Sequence, residues 1–392
     1  MIGLQERRAA VAEAPPPNFR YLEPPSQLEP ADAFVHCANP DRADARPVTL
    51  VRPPVYFSKT AYSTPLGLPI GLGYLAAVLR KAGYAVQILD CVGRDLDNVR
   101  LTPDGRFQVQ GMDEAASLAL IDPASDIIGV TIMFSQEWPH VREYINRLRR
   151  AFPRATIVVG GEHVTAMPEY SLRDCPAIDY LVLGEGELTF LFRSPDGGVV
   201  KTGLSPRLAD IKQIPWPAWD LVDVETYFRP NFTMGPSHGR NIGMLATRGC
   251  PYQCTFCSNP TMWTTRYTMR PVSDVVDEMA RYIERYRVTT VDFYDLTAIV
   301  KKSWIMEFIA ELERRQLKVG WQLPSGTRSE AIDEVVIAGL VRTGCTFLVY
   351  APESASQRTL DMVKKRVNLQ NLQRSLFTAV RYGMATKVNF II

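Results

Sequence analysis

From Val48 onward, short apolar runs rich in β-branched residues alternate with stretches of helical period. The strand candidates are Val48–Val51, Val86–Leu89, Ile127–Met133, Thr156–Val159 and Tyr180–Leu183, with helices over Leu68–Lys81 and Trp138–Ala151. Continuous apolar strands separated by helices predict a parallel sheet covered on both faces. Five of them predict an α/β fold that opens with a five-stranded, doubly wound, Rossmann-like sheet. Ligands of such sheets lie beyond the carboxyl ends of the strands. The unusual loops follow strands: Pro53-Pro54, Ser135-Gln136, Gly160-Gly161-Glu162-His163 and Gly184-Glu185-Gly186-Glu187.

A second series begins at Ile242. Strands are expected over Ile242–Ala246, Thr290–Tyr294, Val319–Leu323, Thr346–Tyr350 and Thr386–Ile392. Helices are expected over Val272–Tyr286, Ser303–Arg315, Asp333–Thr343 and Leu369–Tyr382. Repeated βα units predict a barrel or partial barrel. Because the sequence stops inside its last strand candidate, the expectation is a truncated barrel. The resulting division is a Pro-rich extension (1–47), a sheet domain (48–192), a linker with turn signals and packed aromatics (193–240) and the β/α series (241–392). The extension has no helical or strand period and is expected to be extended or partly disordered.

Composition adds mostly exclusions. The 392 residues carry 44 Lys+Arg against 42 Asp+Glu, a net +2, which disfavours binding nucleic acid by phosphate neutralisation. No apolar run approaches the roughly 18 residues of a membrane span. The N-terminus lacks a signal-peptide core. Seven cysteines, three of them crowded, fit a reduced cytoplasmic protein with a metal or redox site.

The crowded three stand in Arg248-Gly249-Cys250-Pro251-Tyr252-Gln253-Cys254-Thr255-Phe256-Cys257, a C-x-x-x-C-x-x-C loop directly after an apolar strand. Three thiolates on one short loop suit three corners of a cubane iron–sulfur cluster and leave the fourth iron open. Structural zinc is the alternative, but it wants four N/S ligands, and the nearest histidine, His238, precedes the strand. Cys37, Cys91, Cys175 and Cys345 have no ligand spacing.

At this loop the second half of the chain resembles the radical S-adenosylmethionine (SAM) superfamily. The resemblance implies that Cys250, Cys254 and Cys257 hold a [4Fe–4S] cluster whose open iron is chelated by SAM. It implies further that Phe256 lies near the adenine, Asp295 near the methionine amino group, Arg328 near the SAM carboxylate or the substrate, and Glu353 or Ser354 near the ribose. Simple packing (Phe256), helix capping (Asp295, Glu353, Ser354) and an ordinary surface position (Arg328) stay open as alternatives. Lys364-Lys365-Arg366 reads as a solvated helix end.

The N-terminal sheet resembles the cobalamin-binding domain fused to many radical SAM enzymes. The matching pieces are Pro65-Leu66-Gly67-Leu68, Gly73-Tyr74-Leu75-Ala76, Asp90, Gly160-Gly161-Glu162-His163 and Gly184-Glu185-Gly186-Glu187. The resemblance makes Leu66, Gly67, Ser135, Gly161, Glu162, Gly184, Glu185 and Gly186 the candidate cobalamin contacts. Ordinary βα turns are the alternative for the glycine loops. Asp90 is followed by Cys91-Val92-Gly93 where a lower-histidine motif would carry His, so no lower histidine ligand is expected from it. His163 is read as a polar loop residue. The segment after Glu187 is short, which predicts a wall of this domain that is thin or borrowed from the N-terminal extension.

Together these resemblances imply a cobalamin-dependent radical SAM enzyme. Its first reading is a methyltransferase acting on an unactivated carbon or a phosphorus centre, through a 5′-deoxyadenosyl radical and methylcobalamin. A radical oxidative cyclase or ring-rearranging enzyme with the same cofactors, or a non-catalytic cobalamin-binding protein, is the alternative. A small-molecule substrate and a reductant such as flavodoxin or ferredoxin are implied as partners.

Overall fold

The computed structural model describes residues 20–22, 47–60, 67–189, 200–202, 211–229, 234–236, 239–328 and 331–391. Most of the N-terminal extension, Cys37, Leu66, the turn at 195–198 and His238 lie outside them.

In chain order the first half contributes β1 (Arg20–Leu22), β2 (Val48–Arg52), β3 (Val55–Ser58), β4 (Val86–Asp90), β5 (Val99–Leu101), β6 (Phe107–Gln110), β7 (Ile127–Thr131), β8 (Thr156–Gly160), β9 (Tyr180–Val182) and β10 (Val200–Thr202). One parallel sheet runs β1-β10-β9-β8-β7-β2-β4. The five expected strands are its core, in the doubly wound order 2-1-3-4-5, and the strand order reverses between β2 and β7. The sheet has seven strands because β10 and β1, the latter from the N-terminal extension, add to the β9 edge. The helix Trp138–Ala151 covers one face with Trp138, Val141, Tyr144, Ile145 and Leu148, all buried at helical spacing. A three-stranded antiparallel sheet, β3-β6-β5, was absent from the sequence expectation. Its strands are short, and β5 leaves Val99 and Leu101 exposed, so no apolar run marks it.

The second half contributes β11 (Asn241–Met244), β12 (Thr247–Arg248), β13 (Thr268–Met269), β14 (Thr290–Phe293), β15 (Gly320–Thr327), β16 (Cys345–Glu353) and β17 (Ala385–Phe390). The order β11-β14-β15-β16-β17 is sequential and parallel throughout, with helices in the crossovers: a partial β/α barrel. The helix Val272–Tyr286 buries Val272, Val275, Val276, Met279 and Tyr282 on one face and ends at a left-handed Arg287. Phe293, Phe308 and Trp321 pack edge-to-face with centroids 5.3–5.9 Å apart.

One buried cluster spans both halves. Val55, Phe57, Leu68, Val92 and Leu96 join Ile242, Met244, Val291 and Phe293. Trp219, Val224 and Tyr227 belong to the same core, so the aromatic-rich segment between the halves packs as part of it. The carboxyl edge of the first sheet thereby faces the second half at β11 and β14.

Candidate functional site

The cysteine loop leaves β12, which pairs antiparallel with β13 and closes the loop at its base. Gly249 takes φ +79° between Arg248 and Cys250, a turn that a side chain would strain. Asp295, just past β14, is 1 % exposed and braces this base. Its carboxylate accepts from the Ala246 amide (3.1 Å), the Thr247 hydroxyl (2.5 Å) and the Thr247 amide. Burial pushes its pKa up to about 6 despite those bonds. Asp295 caps no helix: the next one, Lys302–Arg315, follows Lys301 without a side-chain cap.

Asn259 closes the other end of the loop, a role that no local pattern marks. Its buried side-chain amide donates to the carbonyls of Cys250 (3.0 Å) and Thr264 (3.1 Å), and its backbone amide lies 3.4 Å from Cys257 Sγ. Cys250 and Cys254 are half-buried and Cys257 is exposed. Among the described residues no three Cys, His, Asp or Glu side chains converge on a single ion. A cubane does not require that convergence, because each thiolate takes its own iron corner. Burial raises the Cys250 thiol, and the neighbouring Cys254 and Cys257 charges raise it further. Three soft thiolates that repel one another fit a polynuclear cationic cluster seated among them.

Cations border the loop. Arg328 follows β15, is buried, stacks 3.7 Å from the Tyr252 ring, and donates to the carbonyls of Lys365 (3.0 Å) and Arg366. It is not a surface arginine. Lys365 pairs with Glu353 at 2.9 Å and lies 5.7 Å from the Phe256 ring. This lysine is therefore half of a contact at the cysteine loop, not a solvated helix end. Burial raises the Cys254 thiol while Lys365 and Arg328 pull it down. Phe256 is 44 % exposed, so its ring is not filling a core. Glu353 takes φ +68° at an irregularity in the β16–β17 pairing. Ser354 accepts from the Ser356 amide (3.2 Å), but the cap of helix Gln357–Met362 is Ser356. Helix capping therefore explains neither Glu353 nor Ser354. Cys250, Cys254, Cys257, Phe256, Arg328 and Glu353 thus share one end of the partial barrel.

In the first sheet, Gly161 takes φ +113° and approaches the next loop so closely that an added Cβ would lie 2.2 Å from the Ile132 carbonyl oxygen. Ser135 Oγ meets His163 Nδ1 at 2.9 Å. The His163 ring is buried 4.7 Å from Trp138, in the helix Glu162–Ala166 and not in a loop, and burial lowers its pKa. Gly184 donates to Thr165 Oγ1 (3.1 Å), which in turn donates to the Gly161 carbonyl (2.8 Å). Gly161 and Gly184 are thus tied through Thr165, and Ser135 to His163, along the short helix that Glu162 begins. Glu185 and Gly186 turn elsewhere. Glu185 is buried against Arg248 at 3.4 Å, and Gly186 starts the helix Gly186–Thr189 beside Leu75.

At the switch point a polar knot joins Asp90 and Gly67, which the sequence singled out, to Arg52 and Tyr227, which it did not. Arg52, at the end of β2, donates to the Gly67 carbonyl (2.7 Å) and the Tyr227 hydroxyl (3.0 Å) and lies 3.7 Å from Asp90. Tyr227 donates to Asp90 at 2.5 Å. Glu137 is buried nearby, accepts from the Tyr56 amide (3.3 Å), and is pushed up to about 7 by burial. A cavity of about 400 Å³ opens against β4, lined by Asp90, Arg94, Asp223 and Thr226 among others; no cysteine of the loop lines it. No described helix is long and apolar enough to cross a membrane.

Residues 60–191 match the family profile described as B12 binding domain, and residues 244–392 match the Radical SAM superfamily. The chain is 30% identical over 370 residues to a cytidylyl-2-hydroxyethylphosphonate methyltransferase of Streptomyces wedmorensis, covering 83% of this chain and 68% of that one. It is 27% identical over 349 residues to an anaerobic magnesium-protoporphyrin IX monomethyl ester cyclase of Rubrivivax gelatinosus, covering 83% of this chain and 58% of the cyclase. In fold it resembles the radical SAM methyltransferase TsrM of Kitasatospora setae, solved with cobalamin and a [4Fe-4S] cluster. The TM-score is 0.62 at 20% identity, over 88% of this chain and 69% of that one, a likeness of fold.

Proposed function

Because this chain belongs to the radical SAM enzymes that carry a B12-binding domain, we propose that it is a methyltransferase acting on an unactivated carbon or phosphorus centre of a small molecule. The observation that carries the reading is the three-thiol loop at one end of a partial barrel that shares one buried core with the corrinoid-type half. When bound, the [4Fe–4S] cluster, SAM and cobalamin supply one-electron cleavage of SAM and cobalt-borne methyl chemistry.

Cys250, Cys254 and Cys257 hold the cluster, and Arg328 and Lys365 favour the charged form of Cys254. Asp295 and Asn259 fix the two ends of their loop. Phe256, whose ring is exposed, would meet the adenine, and Glu353 or Ser354 would meet the ribose. Gly67, Ser135, Gly161, Glu162 and Gly184 would contact the corrinoid; Leu66, also expected to, lies outside the described residues. A one-electron donor of the flavodoxin or ferredoxin type supplies the electron in the cytoplasm. The second reading, a radical cyclase, is favoured by the 27% identity to the magnesium-protoporphyrin cyclase.

Anaerobic reconstitution with iron, sulfide and hydroxocobalamin tests the two-cofactor reading by metal analysis. About four irons and one cobalt per chain are expected. Iron without cobalt removes methyl transfer, and cobalt without iron leaves a corrinoid carrier. With both metals bound, the label of methyl-labelled SAM should reach the product; a product formed without it favours the cyclase.

A further inference from the structure

The Gly184-Glu185-Gly186-Glu187 loop and the Arg248-Gly249-Cys250 turn lie about sixty residues apart in sequence and in different halves of the fold. Arg248 joins them. Its guanidinium meets Glu187 at 2.5 Å and Glu185 at 3.4 Å. It also lies over the Tyr74 ring at 4.9 Å and 5.9 Å from the Trp263 ring. Arg248 is 6 % exposed, Glu185 2 % and Glu187 6 %. Next to it Arg270 makes a second buried cluster, pairing with Asp274 (2.7 Å) and Glu278 (2.5 Å) and donating to the Leu245 carbonyl (2.8 Å). The segment that feeds the first cysteine is therefore held by the buried Arg270 at the Leu245 carbonyl and by two buried carboxylates at Arg248.

Buried ion pairs are a poor source of stability, because desolvation offsets much of the attraction, and apolar or neutral replacements of the whole set are often tolerated. Their better-attested use is to fix register. Arg248 is separated from Cys250 by one left-handed glycine, so its placement sets where the loop begins. We propose that Glu185 and Glu187 are positioning residues for the cysteine loop, acting through Arg248, and that the Glu185-Gly186-Glu187 part of this loop serves the cluster and not the corrinoid. The inference rests on the reading that Cys250, Cys254 and Cys257 hold a [4Fe–4S] cluster. It reassigns Glu185 and Gly186, two of the expected cobalamin contacts. Corrinoid contact at this edge is left to Gly67, Ser135, Gly161, Glu162 and Gly184.

The test uses the full chain with the charges removed together (Arg248→Met, Glu185→Gln, Glu187→Gln), and Glu187→Gln alone in case the triple variant fails to fold. Four measurements are made on each: thermal midpoint, hydroxocobalamin binding by absorbance, iron content, and the electron paramagnetic resonance signal of the reduced cluster with and without SAM. A fifth follows hydrogen exchange of amides 249–258 in the metal-free protein. The expected result is a retained midpoint and retained cobalamin binding, with exchange in the loop about tenfold faster or more. Iron is lost, or the response of the cluster signal to SAM is lost. Arg248→Lys, which keeps the charge, should restore part of that response.

Unchanged exchange, iron and SAM response in the variants would make the network purely structural and overturn the inference. Loss of cobalamin with iron intact would return the loop to the corrinoid and overturn it as well. If the wild-type chain takes up no iron, the inference falls together with the reading it rests on; wild-type iron with unaltered variants removes the inference alone.

Discussion

Lys365 and Arg328 lower the Cys254 pKa while burial and the Cys257 thiol raise it, and Cys254 is the best single probe of the loop. Cys254→Ala should abolish iron–sulfur absorbance and leave cobalamin binding intact, since the charges acting on that thiol come from Lys365, Cys257 and Arg328, all in the second half. Glu137 makes a different prediction. Its carboxyl is held at about 7 against an ordinary 4.5, because burial penalises the charge. The fold then keeps a proton that the unfolded chain releases. Stability from this group is full below pH 4.5 and is lost as pH rises through 7. Glu137→Gln should leave the thermal midpoint nearly unchanged at pH 4.5 and raise it at pH 8, by at most about 3 kcal/mol of unfolding free energy. A midpoint difference independent of pH would show that Glu137 does not titrate in this range.

Individual elements follow local pattern closely wherever an apolar period is long enough. The helix expected over Val272–Tyr286 has those bounds, and the Trp138–Ala151 helix does too. Strands β3, β5 and β6 escaped notice because their pairing is non-local and their faces are mixed. Loop geometry escaped for the same reason: glycine after β8 suggested a ligand approach, yet what requires it is the neighbouring Ile132 carbonyl. Gly161→Ala therefore meets both a positive φ and a backbone clash. It should destabilise by about 1–3 kcal/mol from the backbone conformation alone, more with the clash, and loosen the Ser135–His163 contact. Thermal melts check the first effect, and the imidazole resonance of His163 checks the second.

At the scale of the molecule, the shared core couples the sheet and the partial barrel. Trp219 is 1 % exposed and sits against Gly73 on the helix Ile70–Lys81, and its cluster extends to Ile242 and Val291. Calorimetry should give one cooperative unfolding transition, not one for each half. Trp219→Ala, which empties a large buried volume, should cost about 3–5 kcal/mol and broaden or split that transition. Two separate transitions in the wild-type chain would mean that the core contacts across the halves are too weak to couple them.

The sequence by itself determined the alternation of strands and helices, the parallel sheets and the identity of the three cysteines. Each is encoded within a dozen residues, as a hydrophobic period or a ligand spacing. Tertiary structure decided what the polar residues at strand ends do, because their partners are remote in sequence. Asp295 binds the backbone of Ala246 and Thr247 almost fifty residues away, Arg52 reaches Tyr227, and Glu185 and Glu187 reach Arg248. A buried charge must find a partner wherever the fold places one, and no local pattern records which partner that is.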